Sequence, residues 1–198
     1  MHANHEYDYI IIGGGLSGLQ LAHAFLSDAY FYDKRIAIVE PQEKSQNDKT
    51  WSYWEKGPGL WDNVVYKSWT RAKVYGRQNQ IDFDFGAYTY KSIRSIDFYA
   101  EIIPKLKSNP NFDWIQAEAL SVTEKKLVEV ETTQGILNAR HVFDSRVPFG
   151  FIQDKKSIKL LQHFKGWVIK TKEPVFNAEE FVMMDYRLVH EDSTSFTY

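Results

Sequence analysis

Three consecutive glycines, Gly13-Gly14-Gly15, cut the chain directly after the apolar run Asp8 to Ile12, and a fourth follows at Gly18. A strand that must turn on glycine and pass at once into the amphipathic stretch Leu16 to Leu26 is constrained to a β-turn-α unit. Gly13, Gly15 and Gly18 stand in G-x-G-x-x-G spacing. The first permits the tight turn out of the strand, the second lets backbone approach a pyrophosphate, and the third lets the helix pack on the sheet. Ala22, four residues after Gly18, keeps that helix face small. Leu16 and Ser17 lie in the first turn, where free N–H groups and partial positive charge suit phosphates. A second strand, Arg35 to Glu40, ends in an acid about 20 residues beyond the glycines, where a carboxylate accepts from a ribose 2′-OH and repels a 2′-phosphate. Together these residues form a dinucleotide-binding fingerprint.

The bulk properties narrow the rest. A length of 198 residues allows one full domain, or one domain and part of another. The formal net charge is −2 without a basic block, which argues against a nucleic-acid partner. No cysteine occurs, so disulfides, thiolate catalysis and cysteine metal sites are excluded. His2, His5, His23, His141, His163 and His190 show no metal-ligand spacing, and no metal is expected. Aromatic residues are abundant, at 16%, and serve a flat or polyene ligand as well as a core. The polar start MHANHEYDY carries no secretory signal, so a cytoplasmic location is expected. The apolar runs fall well short of the roughly 20 residues that span a membrane, which leaves a peripheral enzyme open.

Along the chain, a loop over 27–34 leads to the second strand, and 42–59 reads as a long polar loop of the kind that is usually functional or disordered. Residues 63–90 alternate as several antiparallel strands. Ile96, Tyr99, Ile102, Ile103 and Leu106 have helical spacing, closed by Asn109-Pro110. A strand over 112–122 and a hairpin of 127–133 with 137–143 follow. The break at 145–154, holding Pro148 and Gly150, marks the expected domain boundary. The expected domains are therefore a dinucleotide-binding domain over 1–147, with an antiparallel insertion at about 63–92, and the start of a β-rich substrate domain over 148–198. In the latter, 158–171 and 181–189 read as strands, with helical periodicity left open for 158–164. The fold class is α/β, Rossmann-like, of the glutathione-reductase type. An N-terminal fingerprint, an antiparallel excursion and a late hairpin favour FAD over NAD, by analogy of fold.

Three further segments carry a family resemblance. Asn47-Asp48-Lys49-Thr50-Trp51-Ser52-Tyr53-Trp54 resembles the N-D-[RK]-T-W-[SC]-[FY]-W segment of bacterial lycopene cyclases. Leu161-Gln162-His163-Phe164-Lys165-Gly166-Trp167 resembles their Q-x-x-x-G-W strand, and Met184-Asp185-Tyr186-Arg187 with Phe196-Thr197-Tyr198 resembles their M-D-x-R…F-x-Y stretch. With GGGLSGLQLA, the likeness runs the length of the chain in order.

The resemblance implies a lycopene β-cyclase, a flavoprotein that closes β-rings on lycopene without net redox change. It implies FAD in its reduced form, NAD(P)H as electron source, a linear carotenoid substrate, and peripheral association with the inner face of the membrane. By the resemblance, Gly13, Gly15, Gly18 and Glu40 fall at cofactor positions, and Asp48, Lys49, Thr50 and Trp51 near the flavin or the substrate end. Plain packing competes for Trp51 and Trp54. Asp185 and Arg187 are catalytic candidates against a slightly favoured alternative, a structural salt bridge or a strand-end hydrogen bond. His163 reads as a core histidine, and Gln162 and Trp167 as tunnel or ordinary sheet residues. The last residues read as a strand in progress, so the chain is expected to be the N-terminal part of a longer protein. The family's acid is then expected beyond Tyr198, and the isolated piece is expected to be inactive. Two other readings stand beside this one: an FAD-dependent monooxygenase or prenyl reductase of the same fold, and a truncated, non-catalytic flavin-binding module.

Overall fold

The computed structural model describes residues 6–147, 149–160, 164–188 and 196–197. They form two compact units, 1–49 with 95–158 and 50–94 with 159–198.

In the first unit, β1 (Glu6–Ile12) turns on the glycines into α1 (Leu16–Ser27), and a 3-10 turn at Ala29–Phe31 leads to β2 (Ile36–Val39). The N–H of Gly13 donates to the carbonyl of Val39 at 2.9 Å, so the turn is tied to the end of β2. Alternation in β1 sets the layers. Ile10 and Ile12 join Ala37, Val39, Val130, Leu137 and Ala139 in a buried cluster, while Ile11 lies beneath Gly18 of α1.

The second unit contributes β3 (Thr50–Lys56), β4 (Val65–Trp69), β5 (Arg71–Tyr75), β6 (Gln80–Asp84) and β7 (Tyr88–Arg94) before the chain returns to the first. There α2 (Ser95–Ser108) buries Tyr99, Ile102 and Leu106 of the stripe that its spacing predicts; Phe98, outside that reading, is buried as well, and Ile96 and Ile103 are only half-buried. β8 (Phe112–Ile115), β9 (Ala119–Glu124), β10 (Val128–Thr132) and β11 (Gly135–Asp144) complete a six-stranded sheet in the order β8-β2-β1-β11-β10-β9. Its first four strands are parallel, and β9 and β10 are antiparallel additions. A short α3 (Phe149–Gln153) follows, and β12 (Phe181–Asp185) lies in the second unit. This is the mixed α/β, Rossmann-like architecture that the glycine turn predicts.

The second unit holds two three-stranded sheets, β3-β7-β4, all antiparallel, and β12-β5-β6, in which β12 runs parallel to β5.

Several segments differ from their sequence reading. The long loop expected over 42–59 contains β3, which pairs with β7 along its whole length from Thr50↔Arg94 to Lys56↔Tyr88. The excursion therefore starts at Thr50, earlier than 63. The single strand expected over 112–122 is two: Ala117 N–H bonds the carbonyl of Ile115 at 2.9 Å, and the chain leaves β2 there to pair with β10. The break at 145–154 contains a helical turn, α3. No strand forms among the described residues of 158–171, and β12 ends at Asp185.

Candidate functional site

The site is built at the C-terminal ends of β1, β2 and β11, the edge where ligands sit in open α/β sheets. Gly13 has φ +103°, a conformation side chains rarely adopt, and a Cβ there would collide with Ser145 Oγ. That hydroxyl donates to the carbonyl of Ile12 at 2.8 Å, fastening the end of β11 to the end of β1. A Cβ on Gly18 would strike the carbonyl oxygen of Gly13, so the helix can approach the turn this closely only with glycine. Gly15 differs. It is the residue before α1, no side chain caps the helix there, and a Cβ would meet nothing within 4 Å. The open space faces uncapped N–H groups at a helix N-terminus, an arrangement that accepts a phosphate. Leu16 is half-buried and Ser17 exposed in that first turn.

Glu40 follows β2 and is buried. Its Oε2 accepts from Gly14 N–H at 2.7 Å and its Oε1 from Gln42 N–H at 2.9 Å, so the turn and the residues after β2 orient one carboxylate. The same acid is ion-paired with Lys44 at 3.3 Å. These residues fit the adenosine half of a dinucleotide: a cradle for the pyrophosphate, free N–H groups, and an oriented acid for the ribose. No group of three His, Cys, Asp or Glu side chains is placed to hold a metal ion among the described residues.

Asp48 and Lys49 belong to the same unit. Asp48 Oδ1 accepts from Ser95 Oγ at 2.8 Å and from the Tyr99 hydroxyl at 3.1 Å. Burial raises its carboxyl, but these two bonds and the Lys44 charge together hold it below the ordinary carboxylate range. Burial, and then the bond to Asp48, push Tyr99 up to about 12. Lys49 is exposed, and its backbone exchanges hydrogen bonds with Ser95, donating to Oγ at 3.1 Å and accepting from N–H at 2.9 Å. Glu40 and Asp48 are thus linked through Lys44 and Tyr99. Nothing in the motifs flags Lys44 or Ser95, and the helical spacing marks Tyr99 only for the core, because their partners at this site are set by tertiary packing.

Thr50 and Trp51 open β3 in the second unit, where Trp51 is half-buried. Trp54 lies on the other face of that strand with Tyr90, Trp69, Phe85 and Phe181, at ring separations from 4.5 to 6.3 Å. Asp185 and Arg187 form an ion pair at 2.5 Å, and the guanidinium lies 3.9 Å from the Tyr75 ring. The bonds from Arg187 hold the Asp185 carboxyl below its ordinary value. Asp185 also lines a cavity of about 570 Å³ with Lys73, Tyr75, Phe176 and Phe181. Gln162, His163 and Tyr198 lie outside the described residues, and Trp167 is exposed.

Comparison with solved structures finds a similar fold in several enzymes, flavin-dependent ones among them. PqsL from Pseudomonas aeruginosa, a probable FAD-dependent monooxygenase, matches at TM-score 0.53 and 16% identity over 70% of this chain and 42% of its own. The flavin-dependent brominase Bmp2 matches at TM-score 0.56 and 15% identity over 74% and 39%. A geranylgeranyl bacteriochlorophyll reductase-like protein from Thermoplasma acidophilum matches at TM-score 0.50 and 15% identity over 72% and 39%. The chain spans about two fifths of the length of these structures. A search of curated protein sequences finds no match. The family model for lycopene cyclase protein matches residues 8–198, and the chain therefore belongs to the lycopene cyclase family.

Proposed function

We propose that this chain supplies the FAD-binding unit, and the beginning of the substrate unit, of a lycopene β-cyclase. The observation that carries the reading is the glycine cradle beside the buried, oriented Glu40, in a chain matched to the family over residues 8–198. In this reading Gly13, Gly15, Gly18 and the first turn of α1 hold the pyrophosphate, and Glu40 holds the ribose. Asp48 and Lys49 fasten the segment leading toward the flavin end, and Thr50 and Trp51 continue it into β3. The reaction is an isomerisation: a proton is added at the C1=C2 end, the C5=C6 bond attacks the C1 cation, and loss of the C6 proton leaves the ring. When bound, reduced FAD supplies negative charge that stabilises the cationic transition state. Aromatic side chains of the second unit suit a polyene, whose cation is protected by π-faces and the exclusion of water. The acid is not assigned among these residues. The Asp185 carboxyl, held low by its Arg187 partner, is ionised at neutral pH and holds no proton to give.

NAD(P)H as the source of electrons, and a cytoplasmic position at the inner face of the membrane, complete the proposal. The membrane assignment rests on the lipid solubility of a carotenoid. Among the described residues no helix is long and apolar enough to cross a membrane. The test is a pigment profile. The gene carrying this sequence is expressed in a lycopene-accumulating bacterium and the carotenoids are separated by chromatography. Conversion to β-carotene or γ-carotene supports the cyclase. Unchanged lycopene, with a folded protein that carries FAD, sinks it in favour of an FAD-dependent oxidoreductase of the same fold.

A further inference from the structure

The acid at the ribose end is half of a buried ion pair. Backbone N–H groups hold both oxygens of Glu40, and the Lys44 ammonium lies 3.3 Å from Oε1, with side-chain exposures of 8% for lysine and 7% for glutamate. Lysine is strongly hydrated and is seldom buried without a partner of opposite charge. Lys44 is also the one non-glycine residue with positive φ, 60°, among the described residues. Backbone of that kind is uncommon for a long side chain and persists where surroundings hold it. Here the Gln42 side-chain oxygen, at 3.2 Å, and the face of the Tyr99 ring, at 5.5 Å from its centroid, confine the ammonium beside the carboxylate.

We infer that Lys44 is a specificity residue, and that the ribose end reads the 2′ position of an adenosine nucleotide with a carboxylate–ammonium pair. The inference rests on the dinucleotide reading above. A lone carboxylate accepts from a 2′-hydroxyl and repels a 2′-phosphate. A carboxylate neutralised by an adjacent ammonium keeps its acceptor oxygens but loses most of that repulsion. A 2′-hydroxyl carries no charge and is little affected by the lysine. A phosphate monoester carries roughly −1.5 to −2 at neutral pH and is strongly affected.

The test uses the full chain freed of flavin, with 5′-ADP and adenosine 2′,5′-bisphosphate as probes and dissociation constants from calorimetry. Lys44→Met is expected to weaken the bisphosphate by about tenfold or more relative to ADP, the scale of removing one unit charge a few ångströms away in a partly buried site. Lys44→Arg, which keeps the charge, is expected to retain most of the wild-type ratio. Were Lys44 only a fastener of the loop, Lys44→Met would weaken both nucleotides by the same factor, and an unchanged ratio overturns the inference alone. Failure of the wild type to bind either nucleotide at millimolar concentration overturns the dinucleotide reading, and the inference falls with it.

Discussion

The Ser95 hydroxyl donates to Asp48 at 2.8 Å across 47 residues of sequence, joining the segment before β3 to the first residue of α2. Tyr99, one turn further along the helix, donates to the same oxygen at 3.1 Å. Replacing Asp48 by Asn keeps the shape but weakens both bonds, and is expected to cost about 1–2 kcal/mol at neutral pH. The carboxyl is depressed in the folded state. Its ionic contribution is therefore present above the unfolded value of about 3.9 and is lost as the pH falls through the lower, folded value. Urea midpoints of wild type and Asp48→Asn should converge as the pH is lowered from about 5 into that range. A gap that stays constant with pH would show that the charge of Asp48 contributes nothing.

Tyr99 acts at the other end of the scale. Its hydroxyl is held at about 12 by burial and by Asp48, and Tyr7 is held at about 12 by burial and its bond to Asp113. A raised phenol contributes fully below the unfolded value of about 10, and the contribution is lost as the pH rises through the folded value. Stability should fall between about pH 10 and 12, and Tyr99→Phe should fall less steeply while being weaker by about 1 kcal/mol at pH 7. Ultraviolet titration of tyrosinate in the native protein checks the assignment. Complete ionisation before about pH 11 would refute it.

Legibility in the sequence followed the range of the interactions. The glycine turn, α1 and the acid after β2 are local features, and their reasons lie in steric fit and hydrogen bonding within a few residues. The α2 stripe is readable because one helix face repeats across Tyr99, Ile102 and Leu106, whereas the burial of Phe98 comes from packing that this spacing does not mark. β3 was hidden by polar neighbours on both sides and shows itself only in its pairing with β7, some 40 residues away. The segment 158–171 has β-favouring residues, but a strand needs a ladder, and none forms among its described residues. At the candidate site, Glu40 was marked by a spacing rule. Lys44 obeys no rule, and helical spacing marks Tyr99 only as a core residue, because a buried lysine beside an aromatic ring is decided by packing.

Lys91 provides a test in the second unit. Its buried ammonium donates to Glu55 at 2.8 Å, to the Gly57 carbonyl at 3.3 Å, and to Asp62. The bonds to Asp62 and Glu55 raise its pKa and keep it charged. Lys91→Met leaves two partly exposed carboxylates without their cation and should destabilise this unit by about 1 kcal/mol. Hydrogen exchange should show lost protection in β3 and β7. Unchanged protection there would mean that the three acceptors do not depend on the lysine.

Gly15 and Gly18 separate folding from ligand binding within one turn. A Cβ on Gly18 collides with the Gly13 carbonyl oxygen and comes within 3.2 Å of Ile11 Cγ2, so α1 must lift off the sheet. Gly18→Ala is therefore expected to lose about 1–3 kcal/mol of stability, and flavin with it. At Gly15, φ −84° and ψ −169° suit any residue, and nothing lies within 4 Å of the added carbon. Gly15→Ala should melt within about 0.5 kcal/mol of wild type, because it disturbs no contact of the folded chain. The new methyl nevertheless occupies the space through which a pyrophosphate would approach the N–H groups of α1. Flavin retained after gel filtration, read from its visible absorbance, should fall at least about tenfold, the equivalent of losing one good phosphate contact. A Gly15→Ala protein that melts like wild type and keeps its flavin would remove the pyrophosphate from this turn.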